Sequence, residues 1–352
     1  MIKLPGFYIL LFCTAIVLTG CKQTKAPDPQ SVAESITAEG IDYLSSENIE
    51  LEPKTEIAMI ATDSENSFYE LVKKGAEHAI SDLNQQLGYT GKQKISFSFA
   101  SPKTESVIDQ INIIDQFLDK APDALCISFT DTSACKTQLQ MAKNNGIHLI
   151  AFDALDESKA AEAMISIDNA AAATEAAAKM FDEVNYQGKI AVLVHNSLKQ
   201  TGQERYKAIT GELAEKYANK DLRVVDVVYL AQEERSDKEI LDGLLEKHPD
   251  LAGIICTDLV TTEMVIDYTK KLKEKTFSIV GFDISEKITE AVNDGTIVGT
   301  IAQDPYHMGY ATIIAAARSV AGLENAEDVL TSHLWVDKEN VTDDKVQMLL
   351  NK

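Results

Sequence analysis

The sequence predicts an α/β protein of two lobes, each a parallel β-sheet flanked by helices, and three observations carry that expectation. Short β-branched runs alternate with amphipathic helical stretches from Ile57 onward, they do so in two series, and parts of the first series recur in the second. Strand–helix–strand alternation implies parallel strands joined by right-handed crossovers. The recurrence favours two smaller sheets over one large sheet.

Before the alternation starts, the chain carries an address. Lys3 supplies a short positive segment, and Phe7 to Leu18 form an apolar run too short to span a bilayer comfortably. Residues 1–20 therefore read as a signal peptide. The run ends in Leu18-Thr19-Gly20-Cys21, which resembles the bacterial lipobox, where small residues admit a peptidase and the cysteine thiol takes a diacylglycerol. The expected product is extracytoplasmic and lipid-anchored to the cell membrane through Cys21. Residues 21–54 lack strong periodicity and contain Pro27, Pro29 and Pro53, so they read as a tether with a short helix near Val32 to Leu44.

In the first series, strands are expected at Ile57–Ala61, Ile95–Phe99, Ala124–Ser128 and His148–Phe152, with helices such as Phe68–Leu87 and Val107–Leu118 between them. The second series has strands at Ile190–Val194, Arg223–Tyr229, Gly253–Cys256, Ser278–Gly281 and Val298–Ile301. Pro122-Asp123, then six residues, then Thr130-Asp131 is matched by Pro249-Asp250, six residues, and Thr257-Asp258. Downstream, Leu149-Ile150-Ala151-Phe152-Asp153 is echoed by Ile279-Val280-Gly281-Phe282-Asp283. Two echoes in the same order point to duplication of an α/β lobe.

The repeat puts Asp131, Asp153, Asp258 and Asp283 directly after apolar strands, at the sheet edge where open α/β folds bind ligands. An aspartate there can equally cap the next helix. Asp131, followed by Thr132 and Ser133, reads as a cap, whereas Asp153 and Asp283, each after a phenylalanine, read as ligand contacts. At the end of the first strand, Thr62 to Ser67 are polar, and Phe68 and Tyr69, taken alone, read as core residues opening a helix.

Composition excludes several classes. The formal charge is −22, and removing the signal takes away only Lys3, giving −22 − 1 = −23. Such a surface repels phosphate backbones, so no nucleic-acid partner is expected. Of five cysteines, Cys13 leaves with the signal and Cys21 is committed to lipid. Cys126, Cys135 and Cys256 are too few for a disulfide scaffold, and Cys126 and Cys256 sit in apolar strands as small hydrophobes. No cysteine and histidine share metal-ligand spacing, so no metal and no cofactor are expected. There is no Asp-x-Asp nucleophile motif, glycine-rich phosphate loop or Ser-His-Asp arrangement, which argues against an enzyme.

An ordered set of short motifs adds a family resemblance. It comprises Ile57-Ala58, Asn66-Ser67-Phe68-Tyr69, Lys74-Gly75-Ala76, Asn145-Gly146-Ile147, Ile167-Asp168-Asn169 and Gly202-Gln203-Glu204-Arg205. His248-Pro249-Asp250, Val280-Gly281-Phe282-Asp283, Gln303-Asp304-Pro305-Tyr306-His307-Met308-Gly309-Tyr310 and Asp337-Lys338-Glu339-Asn340-Val341 complete it. Over Ile57 to Asp343 the chain resembles the type I periplasmic sugar-binding proteins, the ribose- and galactose-binding group serving ABC transporters.

That resemblance implies two Rossmann-like lobes joined by a three-segment hinge, residues 55–166 with 304–331 and residues 167–303 with 332–348. It also implies roles. Thr62 and Asn66 would reach sugar hydroxyls, Phe68 and Tyr69 would pack on the ring's C–H faces, and Asp153 would accept two adjacent hydroxyls. Gln203, Asp258 and Asp283 would act from the second lobe, with Gln303 at a crossover. Ribose binders carry arginine where Gln203 stands, which makes Arg205, two residues on, a further candidate. Ala154 replaces a second arginine, Ser67 a proline and Asp258 an asparagine, so ribose itself is doubtful. The galactose group's calcium loop has no counterpart. The sole tryptophan, Trp335, falls near a crossover strand, away from any assured stacking role. The implied partners are a monosaccharide and an ABC permease. The alternative is the same module serving a membrane sensor kinase, or binding an autoinducer-type furanose or other small solute. A transcriptional repressor of this fold would need a helix-turn-helix where the lipobox stands.

Overall fold

A computed structural model describes residues 35–154, 158–216, 220–232 and 234–351. The signal peptide, Cys21 and the first part of the expected tether lie outside these residues. The described chain begins with a two-residue strand pair, β1 (Thr37–Ala38) and β2 (Ile41–Asp42), where the sequence suggested a helix. Glu39 and Gly40 both take positive φ, the backbone of a tight hairpin turn, and this ends any helix there. Nor does the segment behave as a tether. Ile36, Tyr43, Ile49 and Leu51 are buried, and the Tyr43 hydroxyl accepts a hydrogen bond from the Ala326 amide at 2.8 Å. The Tyr89 hydroxyl and the Gln86 amide donate to the carbonyls of Leu51 and Ile49. Four apolar side chains spread over a polar stretch were the signal for this strap.

The first sheet is built from β3 (Glu56–Ile60), β4 (Ser96–Ala100), β5 (Ala124–Ile127), β6 (His148–Phe152) and β7 (Ala163–Ser166). Between them run α1 (Ser67–Gln86), α2 (Val107–Lys120) and α3 (Lys136–Asn144). After β7 the chain crosses to a second sheet through α4 (Asn169–Glu183). There follow β8 (Gln187–Val194), α5 (Gln200–Lys216), β9 (Asp221–Tyr229), α6 (Asp237–Lys247), β10 (Leu251–Cys256), α7 (Leu259–Thr269), β11 (Ser278–Phe282), α8 (Glu286–Asp294) and β12 (Gly299–Gln303). It then returns through α9 (Pro305–Val320) to β13 (Asp328–Leu330) in the first sheet, and leaves again into β14 (His333–Asp337) and α10 (Asp344–Asn351).

The two sheets have the orders β13-β7-β6-β5-β3-β4 and β14-β12-β11-β10-β8-β9. All paired neighbours are parallel except β12 and β14. Two sheets, not one, account for the two series of strands. The chain passes between them only beside β7, β12, β13 and β14, so all three crossovers gather at one edge of each sheet. β4 and β9 mark the opposite edges.

The inner strands are buried on both faces, as parallel strands covered by helices must be, while the edge strands β4, β9 and β13 are partly exposed. Cys126 and Cys256 lie there as fully buried free thiols, and burial pushes both thiols up. Trp335 packs over Gly299 on the neighbouring strand, its indole N–H donating to Asp337 at 2.8 Å, and takes no part in the cleft described below.

The first lobe is closed by its last helix. α9 packs against α1 so closely that a Cβ on Gly75 would stand 1.8 Å from the Tyr306 carbonyl oxygen, and one on Gly309 1.9 Å from that of Val72. Neither backbone can yield without moving a helix. Gly309→Ala and Gly75→Ala should each lower stability by about 2–3 kcal/mol or more through overpacking, read as a lower melting temperature. A melting temperature unchanged in both variants would refute this account of the helix crossing.

Candidate functional site

Because every strand of the two large sheets but β14 runs parallel, the carboxyl ends of both sheets carry the loops that enter helices, and these two edges face each other across a cleft. Its wall includes Asp63, Asn66, Phe68, Tyr69, Glu105 and Asp153 from the first lobe. The second lobe contributes His195, Asn196, Lys199, Thr201, Gly202, Arg205, Thr257, Asp258, Val260, Asp283 and Gln303.

The two aspartates that close the repeated motif take matching backbone positions. Asp153 (φ 60°) and Asp283 (φ 66°) are both left-handed, a conformation aspartate tolerates. Each turns back so that its amide donates to the neighbouring strand, Asp153 to the Ile165 carbonyl at 2.9 Å and Asp283 to that of Ile301 at 2.7 Å. The turn aims both side chains inward, where they are 6% and 7% exposed.

Their surroundings differ. The Oδ2 of Asp153 accepts from the Tyr69 hydroxyl at 2.7 Å and from Ser128 at 3.1 Å, and lies 3.3 Å from the Lys199 ammonium. That oxygen is already met by three protein groups, so of the paired acceptors the resemblance implied for two adjacent hydroxyls only Oδ1 is left without a protein partner. Burial alone would raise this carboxyl, but Lys199, the Tyr69 hydroxyl and Arg205 together hold it below the usual range. Asp283 accepts from the Leu259 amide at 2.8 Å and from the Gln303 amide at 2.5 Å. Here burial prevails over Arg205 and Gln303, and the carboxyl is raised.

The remaining candidates are divided. Thr62 is fully buried behind the wall, its hydroxyl donating to the Tyr69 oxygen at 2.9 Å, so it orients Tyr69 from outside the cleft. Asn66 lines the cleft while its Oδ1 caps α1 by accepting from the Phe68 amide. Phe68 and Tyr69 meet edge to face with ring centres 5.2 Å apart. Tyr69 acts through its hydroxyl, and the Lys199 ammonium lies 5.4 Å from its ring centre, so this ring is no free stacking face. Asp258 reaches the wall but its Oδ1 is committed to the Thr261 amide and hydroxyl at the start of α7. Arg205 is 3% exposed, bonded to Asn169 and the Thr257 carbonyl, with its guanidinium 4.3 Å from the Phe282 ring centre. Gln203 is not part of the wall. It bonds the Ser197 carbonyl, because the 100° step per helical residue turns it away from Gly202 and Arg205.

Sequence reasoning missed Asp63, Glu105, His195, Asn196 and Lys199. All lie in strand-end loops of this same edge, after β3, β4 and β8, so examining every such loop would have found them. Glu105 is the centre of this group, 3.0 Å from the Asn196 amide and 3.2 Å from Lys199. Burial would raise its carboxyl, but Lys199, His195 and Asn196 lower it. Five carboxylates and two permanent cations line the cleft, an excess that disfavours an anionic ligand. Among the described residues, no group of three or more His, Cys, Asp or Glu is arranged to hold a metal ion, and no helix is long and apolar enough to cross a membrane.

The two aspartates should respond oppositely to neutralisation in the absence of any ligand. Asp153→Asn deprives buried Lys199 of a counter-charge and should cost about 1–3 kcal/mol at neutral pH. Asp283→Asn removes a carboxylate that burial disfavours, so its melting temperature should match or exceed the parent's. The stability from the lowered carboxyls of Asp153 and Glu105 is present above about pH 4, the unfolded value, and is lost as pH falls through their folded values. The Asp153→Asn deficit should therefore shrink in acid. Thermal melts at pH 7 and pH 3 test this, and a greater loss in Asp283→Asn than in Asp153→Asn would overturn it.

Comparison with known proteins agrees with this geometry. Residues 57–324 match the family described as periplasmic binding protein domain. The chain is 24% identical over 255 residues to the ribose import binding protein of Bacillus subtilis, covering 72% of this chain and 77% of that protein. It is 26% identical over 243 residues to the xylitol-binding protein of Mycolicibacterium smegmatis, 67% of each. Two ABC transporter solute binding proteins of Agrobacterium vitis share the fold. One, with bound D-fucose, aligns with TM-score 0.75 at 25% identity; the other, bound with α-D-tagatopyranose, aligns with TM-score 0.76 at 23%. Each alignment covers 84% of this chain and 99% of that one. The paired parallel sheets, the cleft between their carboxyl edges and the family match over most of the chain together show that it belongs to the periplasmic binding protein domain family, in its two-lobed type I form.

Proposed function

We propose that this protein is an extracytoplasmic, lipid-anchored solute-binding protein that captures a small neutral carbohydrate between its lobes and delivers it to an ABC transporter permease. The observation that carries this reading is the cleft's surplus of buried acceptors. Gln303 is 3% exposed, yet its Oε1 has no hydrogen-bond partner in the protein, and neither has the Nδ1 of His195. The free Oδ1 of Asp153 and the remaining lone pairs of Asp283 add further acceptors. Polyhydroxylated, uncharged molecules supply the matching donors, and charged acceptors bind hydroxyls more strongly than neutral ones. The ligands named for the relatives and neighbours, ribose, xylitol, D-fucose and α-D-tagatopyranose, support the same class.

A thermal-shift and calorimetric screen over pentoses, hexoses and polyols, with amino acids and nucleosides as controls, tests the reading. A true ligand at a thousandfold excess over its Kd adds about 4 kcal/mol of stability. Asp283→Asn should then weaken that ligand about a hundredfold or more, since charge-assisted hydroxyl bonds contribute about 1.5–3 kcal/mol apiece. Binding of the amino acids or nucleosides alone would overturn the carbohydrate assignment. The anchor rests on Leu18-Thr19-Gly20-Cys21, and Cys21→Ser should move the protein from the membrane fraction to the soluble extracytoplasmic fraction. Retention of Cys21→Ser in the membrane fraction would remove the lipid anchor from the proposal.

A further inference from the structure

Lys199 is the least expected member of the cleft. It belongs to the second lobe, just ahead of α5, yet its ammonium makes three contacts to the first: the Tyr69 hydroxyl at 2.9 Å, Glu105 at 3.2 Å and Asp153 at 3.3 Å. The ammonium donates to the Tyr69 hydroxyl and forms ion pairs with the two carboxylates. The side chain is only 16% exposed. Asn196 and His195, from the same second-lobe loop, also face Glu105, at 3.0 Å and 3.7 Å.

Sheet order locates this cluster in the molecule. Glu105 follows β4, an edge strand of the first sheet, and Lys199 follows β8, which lies beside edge strand β9 in the second. The crossovers lie at the other edges, beside β7 and β13 in one sheet and β12 and β14 in the other. The Lys199–Glu105 contact therefore bridges the lobes toward the side far from the hinge, where a given force has the longest lever against opening, while Asp153, after β6, lies nearer the crossovers.

We propose that Lys199 is a positioning residue that latches the mouth of the cleft to Glu105 and reserves one oxygen of Asp153 for the ligand. Its three partners are protein atoms of the opposite lobe, so the latch favours the closed arrangement whether or not a ligand is bound. By filling Oδ2 of Asp153 together with Tyr69 and Ser128, it also limits that carboxylate to hydroxyls reaching Oδ1. The latch deepens the reading of the protein as a two-lobed binding protein. Its test needs no ligand, so it can fail while the carbohydrate assignment stands, and the reverse.

Lobe separation is measured by pulsed electron spin resonance between labels introduced at Lys103 and Lys238, exposed positions on opposite lobes. The three cysteines of the described chain are buried and will resist labelling. Without ligand, Lys199→Met should lower the ratio of closed to open molecules about tenfold, the equivalent of one charge-assisted bond near 1.4 kcal/mol. Glu105→Gln, nearly isosteric, should shift the ratio in the same direction, and Lys199→Arg should restore most of the closed population. Distance distributions identical to the parent's in both Lys199→Met and Glu105→Gln would overturn the latch. So would a Lys199→Arg variant as open as Lys199→Met, since that would reduce Lys199 to a matter of fit.

Discussion

A carboxylate taken out of water must be met by donors, and the cleft is organised around two that are. Asp153 and Asp283 occupy corresponding left-handed turns in the two halves of the repeat, yet they reach charge balance by different routes. Asp283 is served by its own lobe, through a backbone amide and Gln303, with Arg205 close by. Asp153 draws on the other lobe, through Lys199. The second lobe can thus present its acceptor with partners of its own at any degree of opening, whereas the first gains the Lys199 ammonium as a partner for its acceptor only when the lobes meet. Removing one partner from such a buried pair is costlier than the pair is stabilising, so the arrangement enforces geometry more than it adds stability.

Much of this was legible in the sequence because the physics of parallel sheets is local and periodic. Apolar four- and five-residue runs between amphipathic stretches define strands, and an aspartate immediately after such a run is placed at the ligand edge by topology alone. Asp153, Asp258 and Asp283 were legible in that way. What escaped depends on partners distant in sequence. β7 is a four-residue run whose pairing with β6 and β13 decides its fate. Ile36, Tyr43, Ile49 and Leu51 have no periodicity, and their burial follows from a groove made elsewhere. Glu105 and Lys199 sit in polar loops where a charge is unremarkable until the opposite lobe arrives. Gln203 failed for the opposite reason: its neighbours suggested a role, but helical phase turns it out of the cleft.

Chain connectivity adds a further asymmetry. The second lobe is continuous from α4 through β12, lacking only β14 and α10. The first lobe cannot close until α9 returns from the second and seats Gly309 against Val72. Its completion therefore depends on contacts between residues more than two hundred positions apart, as between Tyr310 and Asp82. Contacts of such sequence separation form late because loop closure precedes their reward. The strap at 35–54 then lies over the assembled lobe, with Tyr43 bonded to Ala326 just beyond α9.

Closure sets the balance between affinity and release. A binding protein whose closed form is a small fraction of the population loses apparent affinity in that proportion, tenfold when one molecule in ten is closed. An internal latch raises the closed fraction and recovers part of that loss, but it does so for every ligand equally. Under the proposed function, discrimination falls to groups outside the latch, Gln303 and Asp283 on one side and Asn66, Phe68 and the remaining oxygen of Asp153 on the other. A latch built from hydrogen-bonded charges also has a limit that an apolar seam would lack. Once the lobes part, water solvates Lys199, Glu105 and Asp153, and most of the attraction is lost within a few ångströms. The cleft is thus held when shut and indifferent when open, as a protein that must both capture and surrender its ligand requires.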